Sequence, residues 1–268
     1  MKIVVVGAGG RLGAALAREF KEFDITGFNR AQLDLSDLNG LRTKLDPMAF
    51  DVLINAEAPG VLAKICNAKD AKLIHFSTDY VFDGEKRAPY KEEDEANPIS
   101  VYGESKLAGE KNVLAADERH LVVRVSWVFG PDRPSFVDAM IKRARENEKV
   151  DAIADKFSAP TYTHDIARML PPFFDRAVAG GILHFANVGK CSWQEYAQWT
   201  LDCCQRIGVS LKATTVGACK LTDMKNWVAR RPVYSVLSAA KCTELAGTPP
   251  RAWREAVADY ITHFYSKK

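Results

Sequence analysis

Lys2-Ile3-Val4-Val5-Val6 runs directly into Gly7-Ala8-Gly9-Gly10-Arg11-Leu12-Gly13, and Arg11 to Phe20 continues as an Ala- and Leu-rich stretch. A run of β-branched residues, a glycine cluster and an amphipathic segment read as strand, tight turn and helix. The G-x-x-G-x-x-G pattern at Gly7, Gly10 and Gly13 removes side chains where the chain must turn sharply and where helix meets strand. The first N–H groups of such a helix lack intrahelical partners and carry the positive end of its dipole, which suits a phosphate. Gly7, Gly10, Arg11, Leu12 and Gly13 are therefore candidate dinucleotide contacts. A plain structural turn uses the same glycines; the strand before and the helix after favour the ligand reading.

The same alternation continues outward from this turn. Strands are predicted at Asp24–Phe28, Asp51–Asn55, Lys72–Phe76 and Leu121–Val125, with helices near Leu38–Leu45, Val61–Cys66 and Tyr102–Leu114. Right-handed crossovers place such helices on both faces of a parallel sheet. The expected fold class is α/β, a Rossmann-like doubly wound parallel sheet with a smaller C-terminal substrate-binding lobe. Beyond Gly130 the pattern loosens into a helix at Phe136–Asn147, a short strand at Val150–Ala154, one more core strand at Gly181–Ala186, and amphipathic helices over Trp193–Ile207 and Ala252–Tyr265. The expected division is a dinucleotide-binding unit of residues 1–130, to which 161–188 return, and a smaller lobe of 131–160 and 189–268.

Composition narrows the partners. The 268 residues carry 37 Lys and Arg against 34 Asp and Glu, a net charge of +3 that gives no polyanion-binding surface, so no nucleic acid is expected. No apolar run approaches the ~20 residues of a membrane span, and Ile3 to Val6 is too short for a signal-peptide core. A cytoplasmic protein without membrane contact is expected. The cysteines form no C-x-x-C pair and the histidines lie far apart, which argues for reduced thiols and against a metal.

Cofactor choice is read at the end of the second predicted strand, Gly27-Phe28-Asn29-Arg30. An NAD-selective site usually places a carboxylate there, on the ribose 2′-hydroxyl. Asn29 and Arg30 instead suit a 2′-phosphate, which a guanidinium grips in two places, so NADPH is expected with NADH as the alternative. A solvated loop charge is the plain reading of Arg30. Asp34-Leu35, after a plausible short strand, is a candidate for the adenine end.

Two further stretches carry chemistry. Tyr102-Gly103-Glu104-Ser105-Lys106 puts a phenol and an ammonium one helical turn apart on one face. A free phenol titrates near pH 10, so a neighbouring cation that stabilises its phenolate would fit it for proton transfer. Upstream, His75-Phe76-Ser77-Thr78-Asp79-Tyr80-Val81-Phe82-Asp83-Gly84 breaks from apolar residues into hydroxyls and a carboxylate where a parallel strand ends, and ligands of such sheets bind beyond those ends.

Together these elements resemble an extended short-chain dehydrogenase/reductase, and more narrowly the dTDP-4-dehydrorhamnose reductase family. The likeness rests on Gly7 to Gly13, on Phe76 to Gly84, and on Asn97-Pro98 followed by Val101 to Glu110. It continues in Arg124-Val125-Ser126-Trp127-Val128-Phe129-Gly130, in Asp155-Lys156-Phe157-Ser158-Ala159-Pro160-Thr161 and in Arg231-Pro232. The resemblance implies NADPH-dependent reduction of the C4 ketone of a nucleotide-linked sugar, dTDP-4-dehydrorhamnose to dTDP-L-rhamnose. It assigns proton donation to Tyr102, cofactor anchoring and lowering of the phenol pKa to Lys106, and carbonyl polarisation to Thr78. Asp79, Tyr80 and Trp127 match positions associated with sugar contact. Arg231 is a candidate for the diphosphate, beside an ordinary surface role. Alternatives on the same scaffold are a nucleotide-sugar epimerase or dehydratase, and a non-catalytic dinucleotide-binding regulatory subunit; a homodimer is compatible with any of them.

One departure stands out. The family has a strand ending in Asn-Ala, then a loop and short helix, then a second Asn-Ala leading into the next helix. Here Asp51-Val52-Leu53-Ile54-Asn55-Ala56 runs straight into Glu57-Ala58-Pro59-Gly60-Val61, as if the two places were fused. Two readings are open, a real deletion or a mobile segment missing from this stretch, and the second is favoured because such a segment would line the nicotinamide site.

Overall fold

A computed structural model describes the chain except residues 56, 58, 225–227, 267 and 268. Its first half alternates as β1 (Lys2–Val6), α1 (Arg11–Glu19), β2 (Asp24–Phe28), α2 (Leu38–Leu45), β3 (Val52–Asn55), α3 (Pro59–Ala68), β4 (Lys72–Thr78), α4 (Val101–Ala116) and β5 (Leu121–Val125). The second half adds β6 (Val128–Phe129), α5 (Phe136–Glu146), β7 (Val150–Ile153), β8 (Phe157–Ser158), β9 (Thr161–Tyr162), α6 (Thr163–Met169) and β10 (Gly181–Phe185). It ends with β11 (Cys191–Ser192), α7 (Trp193–Arg206), β12 (Val216–Cys219), α8 (Ala240–Ala246) and α9 (Trp253–Tyr265). No described helix is long and apolar enough to cross a membrane.

The central sheet has six strands in the order β10-β5-β4-β3-β1-β2, every neighbouring pair parallel. Strand residues alternate between two cores, because successive side chains of a strand point to opposite faces. Ile3, Val5, Ile54, Ile74, Leu121 and Val123 pack with Leu16 and Phe20 of α1 and Ile166 of α6. Val4, Val6, Leu53, Leu73 and Val122 pack on the other face with Leu41 of α2, Leu62 and Cys66 of α3 and Val113 of α4. A third, aromatic cluster of Phe129, Tyr162, Tyr196, Trp253 and Tyr260 unites β6, β9, α7 and α9 beside the sheet.

The sheet reverses its winding at β1, which has β2 on one side and β3 on the other. A crevice at such a switch point, outside the strands' carboxyl ends, is where doubly wound sheets hold ligands. Two sequence expectations need correction here. Asp34 and Leu35 follow no strand: the Asp34 Oδ1 accepts from the Ser36 amide at 2.9 Å and its hydroxyl at 2.7 Å, so the segment is a turn. Strand β4 runs on past Phe76 to Thr78, because Ser77 and Thr78 still pair with Arg124 and Val125.

Candidate active site

The glycine turn fits a pyrophosphate. Gly7 has φ +86°, open to glycine at little cost, and a Cβ on Gly13 would collide with the Gly7 carbonyl oxygen. Gly10 caps α1 with no side-chain hydrogen bond, and the first turn of α1 holds no acidic residue. Its first amides are thus left to an outside acceptor such as phosphate. The Arg11 guanidinium donates to the carbonyl oxygens of Val128 (3.1 Å), Arg133 (3.3 Å) and Pro134 (2.6 Å), knitting the 128–134 strap to the turn. Asn29 Oδ1 is engaged by the amides of Ala31 (3.0 Å) and Gln32 (3.1 Å), which shapes the turn after β2 and leaves Arg30 exposed beside it. Leu35 is half-buried against the α2-side core.

The second element is built where β4 meets α4. Thr78 ends the buried strand and caps a 3-10 turn over Asp79–Val81, its Oγ1 accepting from the Tyr80 amide at 3.2 Å. Ser100 caps α4 by accepting from the Gly103 amide at 3.2 Å. Gly103 is pressed against the Tyr80 carbonyl so closely that a Cβ has no room, and this contact sets Tyr102 next to the turn. The Tyr102 ring meets the Tyr80 ring edge-on with centroids 5.9 Å apart. Lys106, one turn along, donates to the Phe76 carbonyl oxygen at 2.8 Å.

The electrostatics differ from expectation in one respect. Burial pushes the Tyr102 phenol above its usual pKa, and the buried Asp79 carboxyl adds to the effect. A hydrogen bond with Thr78 acts in the opposite direction without cancelling the effect of burial. The Lys106 ammonium is itself pushed down to about 8 by burial, with the charges of Glu57 and Glu110 opposing.

Around this pair, Tyr80 accepts at its hydroxyl from Arg231 Nη1 at 3.3 Å. Trp127 takes φ +41°, a conformation that bulky residues adopt only when the surroundings enforce it. Its indole lies parallel to Tyr196 and edge-on to Trp193, and its Nε1 has no hydrogen-bond partner among the described residues. Asp79 is 2% exposed, and its two oxygens accept from the hydroxyl groups of Thr78 and Ser235. Lys156, Ser158 and Ser235, which surround Asp79, carried no assigned role in the sequence. Their only signal was membership in the Asp155–Thr161 stretch and a position close after Arg231-Pro232.

A sheet with a phosphate-ready turn at its switch point, and a phenol, a hydroxyl and an ammonium gathered at the end of β4, defines a Rossmann-type oxidoreductase of the extended short-chain dehydrogenase/reductase class. The family model described as the RmlD substrate binding domain matches residues 1–58 and 48–266, and the chain belongs to that family. A dTDP-4-dehydrorhamnose reductase of Mycolicibacterium smegmatis is 37% identical, over 97% of this chain and 85% of that protein. A crystal structure of a dTDP-4-dehydrorhamnose reductase from Clostridium acetobutylicum superposes with TM-score 0.90 at 29% identity, covering 99% of this chain and all (100%) of that one. The Bacillus anthracis dTDP-4-dehydrorhamnose reductase in complex with NADP gives TM-score 0.89 at 27% identity, over 98% and 99% of the two chains. Residues 48–58 fall in both matched parts of the family model, so one stretch answers to two places in the family pattern. The Mycolicibacterium pairing spans 283 positions against 268 residues here, so that relative has residues for which this chain has none.

Proposed function

We propose that this protein is an NADPH-dependent reductase that converts the C4 ketone of dTDP-4-dehydrorhamnose into the alcohol of dTDP-L-rhamnose. The carrying observation is the grouping of Tyr102, Thr78 and Lys106 at the carboxyl end of β4, on the sheet whose switch-point turn opens α1 with no side-chain cap. The names of the relatives and the NADP held by the Bacillus anthracis structure support the substrate and the cofactor.

Reduced nicotinamide, when bound, supplies the hydride. Tyr102 supplies the proton: a phenol whose pKa is raised is fully protonated at neutral pH, the state that donation to a growing alkoxide requires. Lys106 adds positive charge on the same helix face, which favours the phenoxide left behind. Trp127, Tyr80 and Arg231 form the wall offered to the sugar and its diphosphate, Trp127 through its unpartnered indole N–H. The reading includes a cytoplasmic location, and size-exclusion chromatography distinguishes a monomer from a homodimer.

The direct test follows NADPH and NADH oxidation with a panel of dTDP- and UDP-linked 4-ketosugars. Consumption of NADPH with dTDP-4-dehydrorhamnose is expected. A cofactor that binds and is never consumed with any of them would shift the reading to a regulatory subunit.

Two dependent results follow from charge. Arg30→Ala removes the cation facing the 2′-phosphate, and a lost charge-assisted hydrogen bond of about 1.5–3 kcal/mol raises the KM for NADPH roughly 10- to 100-fold. The KM for NADH stays put; parallel changes in both would remove Arg30 from cofactor selection. Lys106, with its pKa depressed to about 8 by burial, is charged below that pH and neutral above it. Cofactor affinity and turnover should therefore hold below about pH 8 and decline as pH rises through it. A KM for NADPH that stays constant across this range contradicts the anchoring role.

A further inference from the structure

Three guanidinium groups gather around the turn that opens α1, and they are unequally committed. Arg11 donates through Nε, Nη1 and Nη2 to the carbonyl oxygens of Arg133, Val128 and Pro134. Arg18 meets Glu19 at 3.3 Å, Asp132 at 2.5 Å and His164 at 2.9 Å, again through all three nitrogens. Arg133 engages one nitrogen only. Its Nε donates to the Gly9 carbonyl oxygen at 2.9 Å, and neither Nη group has a hydrogen-bond or ion-pair partner among the described residues.

That free end stands where a cation is at a disadvantage. Gly9 immediately precedes Gly10, the N-cap of α1, and no acidic residue lies in the first turn of the helix. The positive end of a helix dipole disfavours a further positive charge and favours an anion. The chain nevertheless pins Arg133 at both ends. Its carbonyl oxygen accepts from Arg11 Nε at 3.3 Å, Pro134 beside it accepts from Arg11 Nη2 at 2.6 Å, and the side chain hooks onto Gly9. A side chain held in advance loses less rotamer freedom when a ligand arrives. A guanidinium carries five N–H donors in a planar fork, so four remain on the two Nη groups, with an edge that matches two oxygens of one phosphate.

Gly9 also adjoins the turn after β2, since a Cβ on it would come within 3.3 Å of the Asn29 Cβ. Arg30, next along that turn, faces the 2′-phosphate in the proposed reading. Arg133 stands instead at the start of the helix, where the phosphates common to NADPH and NADH belong.

We propose that Arg133 is a cofactor-binding residue: its two Nη groups grip the pyrophosphate of the dinucleotide while the first amides of α1 hold the same group from the helix end. The strap from the smaller lobe thus completes a phosphate site that the glycine turn begins. This inference rests on the reading of that turn as the NADPH site.

The test titrates NADPH and NADH onto the parent, Arg133→Met and Arg133→Lys without sugar, following cofactor fluorescence at low and at moderate salt. Arg133→Met is expected to bind both cofactors roughly 10- to 100-fold more weakly, the equivalent of one charge-assisted hydrogen bond. Arg133→Lys keeps the charge without the fork and should fall between the two. The gap between parent and Arg133→Met should narrow as salt rises, because the contact is exposed and screened. Thermal melts without cofactor should coincide, the side chain being exposed. Equal affinities for parent and Arg133→Met overturn the proposal. So does a loss confined to NADPH, which moves Arg133 to the 2′-phosphate, and so does a loss that ignores salt, which makes it a mere prop for the strap. If the parent binds neither dinucleotide, the NADPH reading falls and takes this inference with it.

Discussion

Tyr102→Phe is expected to cost about 100- to 10,000-fold in turnover, the range that general acid catalysis contributes, while the protein folds and binds NADPH as before. The substitution deletes one oxygen from a residue that is 54% exposed, and the buried Thr78 hydroxyl keeps Asp79 and the Tyr80 amide as partners. The ring keeps its edge-on contact with Tyr80, and Gly103 still presses α4 against the 3-10 turn. Lys106 keeps its bond to the Phe76 carbonyl oxygen, so its place toward the cofactor is intact. What disappears is the proton that the proposed mechanism delivers to the alkoxide. Water replaces it poorly in an aligned transition state, which makes the loss one of kcat rather than of binding. The measurement is NADPH oxidation under saturating sugar, with cofactor affinity titrated separately. Full turnover in the variant assigns the proton to another group and removes Tyr102 from the chemistry.

What the sequence disclosed and what it withheld have a common physical basis: how far along the chain the interacting partners lie. The strand at Lys2–Val6 and the turn at Gly7–Gly13 are local patterns, and alternation of Val4 and Val6 against Ile3 and Val5 between two cores follows from the period of a strand. Tyr102 and Lys106 share a helix face by spacing alone. Ser77 misled the reading of β4, since a hydroxyl looks like a strand end; it stays in the sheet because the buried Glu110 carboxylate accepts its hydrogen. The direction of Asp79 was invisible, because Ser158 and Ser235 lie 79 and 156 residues away. The upward shift of the Tyr102 phenol was equally illegible, because it comes from burial by tertiary neighbours rather than from the spacing of Tyr102 and Lys106. Asp34 was misread for a local reason: an Asp that accepts from the amide and hydroxyl two residues on makes a turn, whatever strand precedes it.

Removal of Arg124 should produce the largest loss of stability. Arg124 on β5 and Glu110 on α4 each expose only 2% of their side chains. Arg124 Nη2 donates to Glu110 Oε2 at 2.7 Å, and its Nε reaches Oε1 at 3.0 Å. The guanidinium also stacks over Phe82 at 5.0 Å and lies 3.4 Å from His184 Nε2. Burial holds the His184 imidazole down to about 3, so it is a neutral neighbour to Arg124 at working pH. Arg124→Met leaves the Glu110 carboxylate buried with the Ser77 hydroxyl and only the Lys106 ammonium, a weaker partner than the lost guanidinium, to offset its charge. Breaking one side of such a pair costs about 3–5 kcal/mol. For a chain of this length that lowers the melting temperature by on the order of 10 °C. The double replacement Arg124→Met with Glu110→Leu should recover most of the loss, because the penalty comes from the orphaned charge and not from the absent contact. Thermal melts of the parent, both single variants and the double variant decide the matter. A single variant that melts with the parent, or a double variant that melts below both singles, is incompatible with this account. The partial recovery carries a second reading, since Ser77 adjoins Thr78. With Glu110 gone, the Ser77 hydroxyl loses its acceptor, so the double variant should regain stability sooner than it regains turnover.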